Sequence, residues 1–307
     1  MHYEYAVEPQ AIGSSWENFR YLIEKFGFDK GRLISQFPKS WFREVYQAAD
    51  SLTPMQKKKV EEALNQAKKN KVIRSRRKYD PALGSWLDNA LSEHRSKPFH
   101  AIIASDLAEG EKSVLSVDMV DESVPLMKVP HGDDIPRDIP SIIKALQGLL
   151  EHGSRLVFVD PYFDPFNSRQ KNLFREVFRI VGETNPGADC EIHYRNNAKG
   201  LSNDDLAREA VSLFRDVIPS EMKITFFCWC EKDHGQDFHA RYLLTEKGGI
   251  SVEAGFEPFG NHETTDFALM DFQLVLRRLA AISRDANVYD LVEPVICIDS
   301  DGSVAYQ

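Results

Sequence analysis

The strongest constraint on the fold is a change of rhythm beyond residue 154. From there to residue 230, short apolar runs alternate with amphipathic stretches. Residues 155–160 (Arg-Leu-Val-Phe-Val-Asp), 190–195 and 223–230 read as strands, and residues 173–181 and 204–217 as helices. The strands are almost continuously apolar. A strand buried on both faces reads that way, and such burial accompanies parallel pairing beneath covering helices. A hairpin follows, with strands at 239–245 and 250–254 joined by Glu246-Lys247-Gly248-Gly249, whose glycine pair is a hairpin signal. Residues 139–151 and 269–282 read as helices, 292–298 as a closing strand, and 125–140 as a loop rich in Pro, Asp and Gly. The expected fold class is α/β, a mixed but mainly parallel sheet flanked by helices.

Upstream, the pattern is helical. Ser14 or Ser15 can cap a helix through Trp16, Phe19, Leu22 and Ile23, and Trp41, Val45 and Ala48 continue the period. Thr53-Pro54 has the cap-then-proline order of a helix start, with Val60, Leu64 and Ala67 on one face. The apolar run 99–104 and the alternating run 113–119 begin the strand-bearing part. The expected division is a small helical N-terminal region, 1–98, with a basic connector (Arg74-Ser75-Arg76-Arg77-Lys78) before a further short helix through Trp86, Ala90 and Leu91, and an α/β domain, 99–307.

The bulk properties narrow the function classes. The 307 residues are 42% hydrophobic and 28% charged, which suits a globular chain able to bury a core without staples. No run approaches the roughly 20 apolar residues of a membrane span, and the first residues lack the basic flank and apolar core of a signal peptide, so a cytoplasmic location is expected. Cys190, Cys228, Cys230 and Cys297 lack zinc or redox-pair spacing and read as buried free thiols. There is no glycine-rich nucleotide loop of the Walker or dinucleotide type, and no cofactor is expected. The net charge of −9 does not mark the whole chain as a nucleic-acid binder. Residues 56–78, however, carry ten Lys/Arg against two acids, either an arm for a polyanion or a solvated helix followed by a basic loop.

The chemistry concentrates at His239-Ala240-Arg241. In a strand, positions two apart share a face, so the imidazole and the guanidinium are expected to project together. That pair suits phosphate chemistry: the imidazole attacks phosphorus or holds an oxygen, and the planar fork clamps the remaining oxygens. Arg241 can instead pair with Glu253 or Glu257. Asp160 and Asp164 flank the carboxyl end of a strand, where α/β proteins place ligands, and are also natural turn formers beside Pro161 and Pro165. Tyr162 can stack a base or pack in the core. Glu246 is a functional acid or a solvated turn residue. Arg277 and Arg278 on the last helix are exposed charges or a phosphate rim.

This stretch resembles the signature of the phospholipase D superfamily: His-x-Lys, four residues, Asp, then a glycine-bearing strand with a polar end. Arg241 stands at the lysine position, Glu246 at the aspartate position, and Gly255 with Glu257 in the second part. The departures are closer to the phospholipase-D-like C-terminal domain of MIT-domain proteins and its bacterial relatives, which occur among defence components and carry a strand ending like Val-Asp-Pro-Tyr-Phe-Asp-Pro at 159–165. The resemblance covers roughly residues 140–285 and implies a phospholipase-D-like lobe. It implies a metal-independent phosphodiesterase, most plausibly a nuclease, in which His239 forms a phosphohistidine, Arg241 neutralises developing charge and Glu257 orients a histidine or repels phosphate. Asp160, Tyr162, Asp164 and Glu246 would line the substrate site. A single motif per chain implies a homodimer that brings two histidines together, with nucleic acid as substrate or ligand. The alternative implied by the eukaryotic members is a non-catalytic binding module, or an interaction subunit of a larger defence complex.

Overall fold

The computed structural model describes every residue except 165, 197–202, 216–217 and 221; the side chains of 203, 204 and 213 are also outside the description. Pro165 of the anticipated turn and residues 216–217 of the anticipated helix therefore lie outside the described residues. The chain divides into two compact units, His2–His131 and Gly132–Gln307, the latter with Met1.

The first unit is α/β throughout. Its elements are β1 (Tyr3–Val7), α1 (Pro9–Gly13), α2 (Trp16–Lys25), β2 (Arg32–Gln36), α3 (Trp41–Ala48), α4 (Pro54–Asn70), β3 (Val72–Arg74), α5 (Trp86–Ser96), β4 (Ala101–Ala104) and β5 (Val114–Ser116). The five strands form one parallel sheet in the order β3-β2-β1-β4-β5. Tyr5 and Val7 point to one face, onto Phe19, Leu22, Trp41, Val45 and Val60 from α2, α3 and α4. Ala6, Ile102 and Ala104 point to the other, onto Trp86 and Ala90 of α5. The helix starts follow the sequence grammar: Thr53 and Gln56 form a reciprocal capping box that spans Pro54, and Ser15 caps α2.

This corrects the expected division. Residues 1–98 are not a helical region, and the boundary falls at 131/132 rather than 98/99, because β4 pairs directly with β1. Strands of three to five residues, buried on both faces, carry no period-two signal and disappear between strongly periodic helices. The basic connector is also partly consumed inside this unit. Arg77 is buried, bonds Glu4 at 2.7 Å and lies 3.6 Å over the Phe99 ring.

The second unit contains β6 (Gly132–Arg137), α6 (Ile139–His152), β7 (Arg155–Val159), α7 (Ser168–Thr184), β8 (Asp189–Arg195), α8 (Asn203–Phe214), β9 (Lys223–Cys230), β10 (Tyr242–Leu244), β11 (Gly249–Val252), β12 (Gly260–Leu269), α9 (Phe272–Ala281), β13 (Asp290–Asp299) and β14 (Val304–Tyr306). Nine strands form one mixed sheet in the order β14-β13-β9-β8-β7-β10-β11-β12-β6. The α/β class holds, but this sheet is not mainly parallel. Parallel pairing is confined to β7-β8-β9, and the flanking pairs are antiparallel. Edge-to-face contacts join Phe158 to Phe174 and Phe178 to Phe214 beneath α7 and α8. On the opposite face Val157, Val159 and Leu244 pack with Met270, Val275 and Ile282 around α9.

A polar chain, buried at His193 and Trp229 and open to solvent at Arg155, crosses the three parallel strands. Trp229 Nε1 donates to His193 Nδ1 at 3.0 Å, so the ring proton sits on Nε2, which donates to Glu191 at 2.9 Å. Arg155 grips the same carboxylate with two bonds of 2.6 and 2.7 Å. Burial pushes the Glu191 carboxyl up, but the bonds from His193 and Arg155 prevail and hold it down at about 2. Burial keeps the His193 imidazole below the usual histidine range.

Cys190, Cys228 and Cys297 are buried free thiols, as anticipated, and Cys230 is half-buried. Among the described residues, no helix is long and apolar enough to cross a membrane.

Candidate nucleic-acid interface

The anticipated site residues gather mostly at the carboxyl ends of β7, β8 and β9. Because β10 runs antiparallel to β7, with Tyr242 opposite Val159, the chain entering β10 passes the residues leaving β7. Asp160, Arg195 and Glu231 follow or end those three strands, and Arg241 immediately precedes β10.

Asp160 is only 2% exposed. Its Oδ1 accepts the Tyr162 N–H at 3.0 Å and its Oδ2 the Phe256 N–H at 3.4 Å. Arg241 Nε lies 4.0 Å from Oδ1. Burial nevertheless raises the carboxyl above its usual range, outweighing the two N–H donors and the guanidinium. Arg241 is fixed from its other side by a 2.6 Å bond from Nη1 to the Glu253 carbonyl. The close approach depends on Gly255, whose φ is +80° and where a Cβ would stand 3.1 Å from both Arg241 Cδ and Asp160 Oδ2.

Tyr162 is half-exposed and sits between two guanidiniums. Arg241 Cζ lies 4.8 Å and Arg195 Cζ 5.2 Å from its ring centre. Arg195 is held by Glu231 at 3.3 Å, and Glu231 also accepts the Phe238 N–H at 2.8 Å.

A second aromatic platform lies on the same cavity. The exposed Phe259 ring has Arg137 Cζ at 4.1 Å and Arg169 Cζ at 4.4 Å. Glu257 ties this pair down: its side chain accepts from Asn167 at 3.0 Å and Arg169 at 3.2 Å, and its carbonyl accepts from Arg137 at 2.8 Å. Tyr162, Phe259, Arg137, Arg241, Asp160, Asp164 and Glu257 together line a cavity of about 380 Å³.

Three expectations change. His239 and Arg241 do not share a face: residues 231–241 lie outside any strand, so the alternation rule does not reach His239, which lines a separate cavity of about 180 Å³. Glu246 is not at this end of the sheet. Its carboxylate accepts the backbone N–H of Ser154 at 3.0 Å and of Arg155 at 3.3 Å, at the opposite end of β7. A five-residue strand puts roughly 15 Å between the two ends. Glu257 bonds Asn167, which caps α7, and Arg169 in its first turn, rather than a histidine. Asp164 lines the cavity, but its Oδ1 also accepts the Phe166 N–H at 2.9 Å in a local turn.

Arg195, Arg137, Arg169, Glu231 and Phe259 escaped sequence reasoning. Arg195 and Glu231 were legible at the carboxyl ends of parallel strands; Arg169 comes from α7, and Arg137 and Phe259 reach the site only through the antiparallel flank. Among the described residues, no group of three or more His, Cys, Asp or Glu side chains is arranged to hold a metal ion.

No family model matches this chain, and no curated protein matches it. Among solved structures, TrmBL2, an archaeal chromatin protein whose structure shows a novel mode of DNA binding, aligns with a TM-score of 0.28 at 13% identity, covering 57% of this chain and 58% of that one.

Proposed function

We propose that the unit Gly132–Gln307 binds single-stranded nucleic acid, as a phospholipase-D-like lobe whose site holds phosphodiesters rather than cleaving them. The observation that carries this reading is the pair of exposed rings, Tyr162 and Phe259, on one cavity, each flanked by two guanidiniums. Aromatic platforms interleaved with arginines are what single strands require: each base offers a face to stack, and each phosphate an acceptor for the fork. The Arg-for-Lys change at Arg241 fits a clamp. Glu231, Glu257 and Asp160 hold the guanidiniums in place and offset much of their charge, so binding should rest on stacking more than on net attraction.

The test is anisotropy of a labelled thymidine dodecamer at low salt. Tyr162→Ala and Phe259→Ala should each weaken binding by about 5–150-fold, since a stacked base contributes about 1–3 kcal/mol. Arg241→Ala should weaken binding and flatten its salt dependence. Equal affinity across all three variants and the parent would end the proposal.

A second reading, phosphodiester hydrolysis by His239 from each of two chains, is favoured by the exposure of His239 on the segment between β9 and β10. It predicts metal-independent cleavage of oligonucleotides that His239→Ala abolishes while binding persists. Turnover that survives this substitution would remove it.

A further inference from the structure

Among the described residues, three carboxyl groups line the cavity of about 380 Å³, and they are compensated unequally. Glu257, half-buried, accepts from Asn167 and Arg169, and Asp164, half-buried, accepts the Phe166 N–H. Asp160 is buried, and the guanidinium beside it stands off: Arg241 Nε is 4.0 Å from Oδ1, beyond hydrogen-bond reach. Among the described residues, Arg241 makes one hydrogen bond, from Nη1 to the Glu253 carbonyl. Its Nε–Nη2 edge therefore keeps both donors for a ligand.

A phosphate takes such an edge in bidentate fashion, its oxygens about 2.8 Å from the nitrogens. With Nε 4.0 Å from Asp160 Oδ1, an oxygen bonded there lies within about 7 Å of the carboxyl. Two anions that close, walled by protein, disfavour each other's charge. A phosphodiester stays ionised down to strongly acidic pH, so the carboxyl is the partner that takes the proton. The other charged groups around the cavity are engaged elsewhere. Glu257 and Asp164 have the donors named above, and the Glu253 side chain is exposed. Glu231 is held by Arg195 and the Phe238 N–H, and His239 lines the other cavity. Arg137, on the Glu257 carbonyl and the Phe259 ring, keeps its charge throughout.

We infer that phosphodiester binding at this cavity is proton-linked: a phosphate on the free edge of Arg241 is accompanied by a proton on Asp160. The inference rests on the nucleic-acid reading and adds its regulation, a strand-binding site that tightens as pH falls. Burial already holds the Asp160 carboxyl above its usual range in the empty site, and an arriving anion moves it further in the same direction. Proton uptake on binding means, by linkage, that affinity rises with proton concentration.

The experiment is anisotropy of the full chain with the labelled thymidine dodecamer at pH 5, 6 and 7 and constant ionic strength; thymine does not titrate over that range. Binding should be about fivefold or more tighter at pH 5 than at pH 7. Calorimetry at pH 6 in two buffers of unlike ionisation enthalpy should show proton uptake, a measurement that needs no variant. Asp160→Asn, confirmed as folded by thermal unfolding, should remove most of the pH dependence and bind at pH 7 more tightly than the parent. Arg241→Ala should lose affinity and pH dependence together. A dodecamer that binds at no pH overturns this inference along with the reading beneath it. Binding of equal strength at pH 5 and 7, binding without proton uptake, or a pH dependence undiminished in Asp160→Asn overturns the proton linkage alone.

Discussion

Asp160 shows how a residue flagged by sequence position alone acquires a definite role. Its place after an apolar strand marked a carboxyl-end site, but nothing in the sequence showed that burial would leave its carboxyl raised beside a guanidinium. The sign of the consequence follows from linkage. A carboxyl whose folded pKa exceeds its unfolded value of about 3.9 adds stability that is fully present below that value and lost as pH rises through the folded pKa. Asp160→Asn does not titrate, so the stability of the parent relative to the variant should be greater at pH 4 than at pH 7. Urea unfolding at the two pH values checks this; a difference that stays constant would mean an ordinary, solvated carboxylate. Glu246 and Glu257 show the opposite lesson. Both were placed by offset from His239, yet one caps the start of β7 and the other braces Arg169. Offsets along a chain fix faces only while the strand lasts, and this one begins at Tyr242.

At the scale of elements, helices were legible because amphipathic period and caps are local. Ile139–His152 and Pro54–Asn70 lie close to where their periods and caps place them. β6 and β12 were missed: β6, Gly-Asp-Asp-Ile-Pro-Arg, carries turn residues and owes its strand to pairing with β12. The parallel trio β7-β8-β9 was read correctly, and its stability can be probed through the polar chain that links it. Glu191 is depressed to about 2, so its contribution is present above the unfolded value near 4.3 and lost as pH falls through about 2. Glu191→Gln leaves Arg155 and His193 without their anion and should cost about 1–2 kcal/mol near pH 7, since water screens the part-exposed Arg155. The deficit should shrink as pH falls from 4 toward 2. Denaturant midpoints across that range are the measurement, and a pH-independent deficit would argue for lost packing alone.

For the whole molecule, the division at 131/132 was the least legible property, because it depends on which of two sheets each short strand joins. Residues 101–104 look like the start of a new domain by rhythm, yet they pair with Tyr5, Ala6 and Val7 at the other end of the first unit. Each unit has its own sheet and its own apolar clusters. Residues 132–307 produced alone should therefore unfold in one cooperative transition and bind the dodecamer as the full chain does. Calorimetry and anisotropy on that fragment decide it; a fragment without a cooperative transition would show that its core is incomplete. Within that unit, the stretch from Phe238 to Tyr242 is a party wall, with Arg241 facing one chamber while Ala240 and Tyr242 face the other. A substitution that re-routes this one stretch of backbone therefore reshapes the lining of both chambers at once.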